Sequence, residues 1–479
     1  MNQEKFRQLE AIFHPKSVAV VGASSDRTKQ GTIFFQALLK AGFKGKVYPV
    51  NASGSEISGV KSYPKVTSIP HPIDYVIISV PARSILKVLE DCAAKGVKAV
   101  QIFTAGFRET DTPEGRWLEG EMIKRARRGN FRIIGPNCVG LYNPVINLNS
   151  WGLPSAEAGP VAILSQSGGI AAAATRAALA RGVRFSKVVS YGNGADLDST
   201  DFLEYFAADP STKIIGIYIE GVEDGRMLFQ LLRQVCKTKP VVMWKGGRTK
   251  AGTEVTMAHT GSLAASYPVW TTLSKQLGMA QVENQEDLVD TLLAFGCLGQ
   301  FRGHNVGIIC GLAAAGGGES VSATDICSSL GLEVTPFSPK TRSLLKSILP
   351  PAGTILRNPL DIGWLGGNFG PLERALTAVA ADPNIDLIII HHPIQRVVTL
   401  MSREWAQAMT DVFIRLSKQQ PKPVVVISAP GFPTTSEQWH IEQELAAAHI
   451  PVYSRLEEAA KAIAKVSQYF AWRADLDED

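Results

Sequence analysis

Long apolar runs are missing from this chain: no window of its 479 residues reaches the run of about twenty apolar residues that spans a bilayer. The opening Met1-Asn-Gln-Glu-Lys-Phe-Arg-Gln-Leu-Glu10 carries acidic residues and no apolar core, so it does not read as a targeting segment. Cysteine is scarce. The six (Cys92, Cys138, Cys236, Cys297, Cys310 and Cys327) form no Cys-x-x-Cys pair and no paired His–Cys spacing, so neither a metal site nor a disulfide framework is expected. A soluble, untargeted protein of the reducing cytoplasm follows, with no membrane partner. Low-complexity segments and short repeats are also lacking. Charge is nearly balanced, 49 basic against 44 acidic side chains, for a net +5. Its one basic knot, Lys124-Arg-Ala-Arg-Arg128, has no aromatic companion module. Nucleic acid is therefore not an expected partner, and the knot reads as a solvated helix end that suits the macrodipole.

What is present is an ordinary globular balance, 45% hydrophobic and 19% charged, at a length that fits two or three domains. Ser17-Val-Ala-Val-Val21, the small-residue turn Gly22-Ala-Ser-Ser25 and the helical spacing of Thr32 to Lys40 give strand, turn and helix in order. Lys46–Val50, Tyr75–Val80, Ala99–Phe103 and Arg132–Ile134 continue as strands, with helical segments such as Ser84 to Lys95 between them. Apolar strands alternating with helices imply an α/β fold with a parallel sheet covered on both faces. This first domain is expected to span 1–149. A second unit, 150–299, opens with Gly159–Leu164 and continues through the strands Phe185–Ser190, Ile214–Ile219 and Val241–Trp244, a flavodoxin-like pattern. A third, 300–479, repeats the plan with Asn305–Cys310, Asp386–Ile390, Pro423–Ile427 and a tail helix near Glu457 to Phe470.

Several strand ends carry residues suited to chemistry. Gly22, Ala23 and Ser24 would set backbone N–H groups and a helix start against a phosphate, or else form a glycine turn without a ligand. Gly-x-Gly-x-x-Gly is incomplete there, and the second strand ends at Asn51 rather than an acid, which argues against ordinary nicotinamide binding and a dehydrogenase. Gly135, Pro136 and Asn137 lie beyond a strand's carboxyl end, where open sheets hold ligands. Asn137 there is either a donor to an amide or acyl carbonyl or the cap of a rigid proline turn. Cys138 invites a nucleophile reading but has no histidine near it in sequence. Ser165, Ser167 and Gly168, in Ser165-Gln-Ser-Gly-Gly169, bring hydroxyls and unpaired N–H groups to a helix start, a nest for a dianion or a plain capping turn. A serine-hydrolase elbow is not met.

His259 is the expected catalytic centre. It falls in Gly246-Gly-Arg-Thr-Lys-Ala-Gly-Thr-Glu-Val-Thr-Met-Ala-His259-Thr-Gly-Ser-Leu-Ala-Ala265, read as a loop whose Gly252, Ala258, Gly261 and Ala264 leave room for a phosphoryl group on the ring. Glu220, at a strand's carboxyl end, would orient that imidazole, or is a surface carboxylate in a turn. His391-His392 ends a third-domain strand as a potential ligand pair with no acid or cysteine at metal spacing.

In this order, Ser17-Val-Ala-Val-Val-Gly-Ala-Ser24, Gly135-Pro-Asn-Cys138, Ser165-Gln-Ser-Gly168, Glu220-Gly221, Gly246-Gly-Arg248 with His259-Thr-Gly261, and Asn358-Pro-Leu-Asp361 resemble the α subunit of the ADP-forming acyl-CoA synthetases of acetate–CoA ligase type, distant relatives of succinyl-CoA synthetase. The likeness runs from about Phe13 to about Val466. It implies an N-terminal Rossmann-like CoA-binding domain followed by two flavodoxin-like succinyl-CoA-ligase domains. The implied reaction takes acyl-CoA and phosphate to acyl phosphate, then to a phosphohistidine at His259, then to ADP, and runs in both directions. By resemblance, Gly22, Ala23 and Ser24 hold the CoA phosphates, Gly135, Pro136 and Asn137 lie by the thioester, Ser165, Ser167 and Gly168 cradle the phosphoryl group, and Glu220 orients His259. ADP or ATP with Mg2+ is expected on a separate ATP-grasp β subunit in a hetero-oligomer, and a small carboxylic acid or its acyl-CoA is the expected substrate. Three departures stand out: Asn51-Ala-Ser53 replaces Asn-Pro-Lys, Ala258 replaces Ser, and the match loosens around Cys310 to Gly318. The first is the ground for an alternative reading, a CoA-binding or regulatory protein of the same fold without turnover.

Overall fold

A computed structural model describes residues 2–54, 56–154, 157–260, 267–312, 317–363, 368–429 and 435–478, with the backbone alone at 257–260 and 477–478. Two compact units are found, one of residues 1–179 and 183–288, the other of residues 180–182 and 289–479.

The first unit holds two sheets. β1 (Ser17–Val21), β2 (Lys46–Val50), β3 (Tyr75–Ile78), β4 (Ala99–Ile102) and β5 (Arg132–Ile134) pair in parallel in the order β2-β1-β3-β4-β5. Every residue of β1, β3 and β4 is buried, as expected for strands with helices on both faces. The second sheet is built from β6 (Gly140–Asn143), β7 (Leu148–Asn149), β8 (Ala158–Ser165), β9 (Phe185–Ser190), β10 (Ile214–Ile219), β11 (Val241–Lys245) and β12 (Ala280–Val282), in the order β12-β11-β10-β8-β9-β6-β7. Two edge strands of the expected first domain, β6 and β7, join the second sheet through antiparallel pairing of β6 with β9. Pairing between strands so far apart in the chain leaves no trace in a local pattern.

The first two expected domains also share one compact unit. Their joint includes an N-terminal helix, Gln3–Phe13, whose Phe13 ring stacks on Tyr205 at 4.8 Å and whose Lys5 pairs with Asp201 and Glu204. Asn143 donates to the Phe13 carbonyl at 2.9 Å, and Arg132 pairs with Asp196 at 2.9 Å. The basic knot closes the helix Pro113–Gly129, where Lys124 and Arg125 are paired with Glu121 and Glu90.

In the second unit, β13 (Val306–Cys310), β14 (Ile355–Leu356), β15 (Leu360–Asp361), β16 (Leu387–His391), β17 (Val424–Ile427) and β18 (Val452–Tyr453) run in the order β14-β15-β13-β16-β17-β18. Setting aside the antiparallel edge strands β6, β7 and β14, all three sheets share one order, second-first-third-fourth-fifth. Each thus has a switch point between its first and third strands, the place where open α/β sheets bind ligands. Among the described residues, no helix is long and apolar enough to cross a membrane.

Candidate active site

The first switch point lies between β1 and β3. Gly22 follows β1 at φ 99°, and a Cβ there would stand 2.1 Å from the Ser79 carbonyl oxygen, so only glycine fits. Its N–H donates to Val50 O at 3.1 Å. Asn51 Nδ2 donates to Ala23 O at 2.6 Å, while Ser24 and Thr32 exchange two 3.0 Å bonds. Ser24 Oγ is left buried with no hydrogen-bond partner. The helix Gln30–Ala41 begins without a side-chain cap, which leaves first-turn N–H groups for another acceptor.

Beside this turn is a cavity of about 590 Å³, lined among others by Gly22, Asn51, Ala52, Lys65, Lys87 and Asp91. Asp91 is committed to the turn Val66–Ser68, accepting from Val66 N at 2.6 Å and Thr67 Oγ1 at 2.5 Å. Lys65 and Lys87 supply two cations to the cavity's rim. Sequence reading missed both, because each is an isolated surface-type lysine far along the chain from Asn51.

At the second switch point, between β8 and β10, three of the expected residues, Asn137, Ser167 and Gly168, line one cavity. A cavity of about 360 Å³ is lined by Phe103, Thr104 and Ala105 from the end of β4, by Asn137, Cys138 and Val139, by Gln166, Ser167, Gly168 and Gly169, and by Gly192 and Asn193. The segment Asn137 to Val139, just after the Gly135-Pro136 turn, thus faces the start of the helix Gly168–Ala180. Their approach is close: a Cβ on Gly168 would lie 2.4 Å from Val139 Cγ2. Ser165 Oγ donates to Ser167 O at 2.7 Å and accepts from Ser167 N at 3.2 Å, which shapes the turn, while Ser167 Oγ accepts from Ile170 N at 3.4 Å. Ser165 is therefore spent on the backbone, and the open positions at the helix start belong to Ser167 and the two glycines.

Gln166 is the residue the motif reading passed over. Its Oε1 accepts from Glu220 N at 2.8 Å and Gly221 N at 3.1 Å, fastening the cradle to the end of β10. Glu220 is 6% exposed, not a surface carboxylate, and its Oε1 accepts from Tyr218 Oη at 2.9 Å. Behind it Lys245 Nζ donates to Glu220 O at 2.7 Å and to Gly246 O; burial lowers the Lys245 pKa. Cys138 Sγ points at Ile102 O and Ile134 O, and burial pushes its thiol up to about 12, which removes it as a nucleophile. Asn193, on the loop Ser190 to Gly194, is held by Glu109 at 2.6 Å and Glu119 at 3.2 Å, and Arg108 pairs with Glu119 at 3.3 Å. Burial raises the Glu119 pKa, against the Arg108 charge and the Asn193 hydrogen bond.

One expectation is corrected. The segment after β11 is not a loop but the helix Lys250–Thr260, which contains His259. Thr249 starts it, accepting from Gly252 N at 3.0 Å through its hydroxyl and from Thr253 N at 2.8 Å through its carbonyl. Small residues suit a loop by composition, yet alanine, lysine and glutamate favour a helix once a threonine caps it. This helix runs beside the turn Arg108–Thr110, whose Glu109 holds Asn193 of the cavity. The side chains of Ala258 and His259, and Gly261 and Ala264, lie outside the described residues, as does Trp364.

Known proteins match this arrangement. The family described as a CoA binding domain covers residues 16–144, and that described as a succinyl-CoA ligase like flavodoxin domain covers residues 158–295. The α subunit of acetate–CoA ligase (ADP-forming) II from Pyrococcus furiosus is 35% identical over 96% of this chain and 98% of its own length. The chain belongs to the ADP-forming acyl-CoA synthetases.

Acetate–CoA ligase (ADP-forming) I of Archaeoglobus fulgidus is 39% identical over 80% of the chain, and the match spans only 54% of that protein. Acetyl-coenzyme A synthetase 1 of Ca. Korarchaeum cryptofilum, solved with phosphate and ADP, superposes with a TM-score of 0.82 at 31% identity over 98% of each chain. Within this synthetase, the sites expected at Gly22 to Ser24 and at Gly135 to Gly168 occupy the carboxyl edges of two neighbouring sheets in one compact unit.

Proposed function

We propose that this chain is the α half of an acid–CoA ligase that couples acyl-CoA cleavage to ADP phosphorylation through phosphohistidine at His259. The observation that carries the proposal is the 360 Å³ cavity lined on one side by Asn137 to Val139 and on the other by the Ser167–Gly169 helix start. The CoA phosphates take the Gly22–Ser24 turn, with Lys65 and Lys87 supplying the charge that Asn51-Ala-Ser53 lacks. That relocation weakens the only ground for a scaffold without turnover.

At the cavity, phosphate attacks the thioester carbonyl beside Asn137 and the CoA thiolate leaves, giving acyl phosphate. The His259 ring then attacks phosphorus and the carboxylate departs. Unpaired N–H groups and the positive end of the helix Gly168–Ala180 match the dianion's charge. Glu220, buried and anchored through Gln166 and Tyr218, holds one ring N–H so that the other nitrogen attacks. The phosphoryl group passes to ADP, bound with Mg2+ on an ATP-grasp partner in a hetero-oligomer.

The test mixes the full chain with radiolabelled phosphate, Mg2+ and a panel of acetyl-, branched- and aryl-acyl-CoA. Acid-labile, base-stable label that is absent from His259→Ala supports the proposal, and ADP plus the partner should discharge it as ATP. Equal labelling of His259→Ala, or no label with any member of the panel, overturns it.

A further inference from the structure

The first two switch points hold the sites described above, and the third holds a different set of groups. Cys310 ends β13 and His391 ends β16, the adjacent first and third strands of the second unit's sheet. Glu319 sits in the first turn of the helix Gly317–Ser329, which follows β13. The Cys310 Sγ, a Glu319 carboxylate oxygen and a His391 ring nitrogen all lie within 4.8 Å of one another. His391 Nε2 is buried with no hydrogen-bond partner, a cost that a ligand would remove. Asp361, paired with Cys310 across β13 and β15, adds a second carboxylate. Its Oδ1 accepts from Gly363 N at 3.0 Å and would stand 2.0 Å from a Cβ on Gly311, so glycine at 311 (φ 81°) lets the acid approach the end of β13.

We propose that Cys310, Glu319 and His391 form a binding site for a divalent transition-metal ion of the zinc class at the third switch point. Sulfur, imidazole and carboxylate together suit zinc and disfavour magnesium or calcium, which take oxygen sets. Ligand atoms around tetrahedral zinc sit about 3.3–3.8 Å apart for bonds of about 2.0–2.3 Å. Drawing in the cluster from its 4.8 Å limit needs about 1 Å, within reach of the exposed Glu319 side chain. Three protein ligands leave a fourth position for water or for Asp361. The charged groups facing the site are Glu319 and Asp361 with Arg396 opposing them, so a dication meets net negative charge. On binding, the Cys310 S–H bond breaks, the sulfur–metal bond forms and one proton goes to solvent, with no change of oxidation state.

The experiment uses the full chain stripped with chelator and titrated with Co2+, then with Zn2+ in competition. One equivalent of Co2+ should produce the thiolate-to-cobalt charge-transfer band and release one proton. Cys310→Ser should abolish the band, and His391→Gln should weaken Zn2+ binding by more than about 100-fold, since even losing a ligand's outer partner costs about 10- to 100-fold. Should Cys310→Ser fail to fold by circular dichroism, His391→Gln and the exposed Glu319→Gln decide. No band in the parent, or Zn2+ affinity unchanged in the Glu319→Gln/His391→Gln double variant, overturns the site.

Discussion

Gly168→Ala tests whether the phosphoryl cradle depends on how closely its helix approaches the Gly135–Val139 turn. The new methyl would lie 2.4 Å from Val139 Cγ2, about 1.1 Å inside the short end of carbon contact at about 3.5 Å. Val139 is branched at Cβ and partly buried, so it has little freedom to rotate away. Relief must come from the helix start moving by about 1 Å, at a strain of about 1–3 kcal/mol. A displacement of that size at a reacting group costs about 100-fold in rate.

Val139→Ala offers the cure. It leaves only the Val139 Cβ, 3.5 Å from the new methyl and in ordinary contact. Alone it should cost about 1 kcal/mol for two half-buried methyls. The double variant should then recover about 1–3 kcal/mol of coupling energy and most of the lost rate. Urea unfolding of the four proteins and the initial rate of His259 labelling are the measurements. A Gly168→Ala protein as stable and as fast as the parent, or one that Val139→Ala does not rescue, would refute the close approach.

Gln166→Leu should orphan the Glu220 and Gly221 N–H groups and cost about 1–3 kcal/mol, whereas Gln166→Glu keeps the acceptor; equal unfolding midpoints for the two would count against the bridge. Lys187 and Asp209 form an ion pair at 2.8 Å with side chains only 3% and 5% exposed, so Asp209→Asn should cost about 3–5 kcal/mol. Burial alone would raise the Asp209 pKa, but Lys187, Ser211 and Thr212 hold it below the ordinary value. The unfolded carboxyl therefore takes its proton first, at about pH 3.9, and the pair's contribution is full above about pH 5 and lost as pH falls through the folded value. Melting temperature against pH should show this acid slope in the parent and less of it in Asp209→Asn. Iodoacetamide at pH 8 should leave Cys138 unmodified in the folded chain and modify it after unfolding, and Cys138→Ala should still label at His259; modification of the folded protein would reinstate the thiol as a reactive group.

Local pattern sufficed for several of the parallel strands. Ser17–Val21, Lys46–Val50, Phe185–Ser190 and Ile214–Ile219 have the bounds that their β-branched runs imply, since such strands carry their signal within a few residues. The same is true of Gly22 and Ser165 to Gly168, whose small and hydroxylic side chains mark strand-to-helix turns by themselves. The helix at His259 is not legible in the same way, because a threonine cap and small helix formers resemble a loop in composition.

Everything that depends on distant segments meeting was left to the tertiary structure. The pairing of β6 with β9, the capture of Glu220 by Gln166, the arrival of Lys65 and Lys87 at the cavity of Gly22, and the meeting of Cys310 with His391 each join positions far apart in the chain. His391 in isolation had no acid or cysteine at metal spacing; the sheet order supplies them by making β13 and β16 neighbours. Chain neighbourhood sets backbone preference, but which side chains share a site is set by strand order, and strand order is decided by burying whole faces at once.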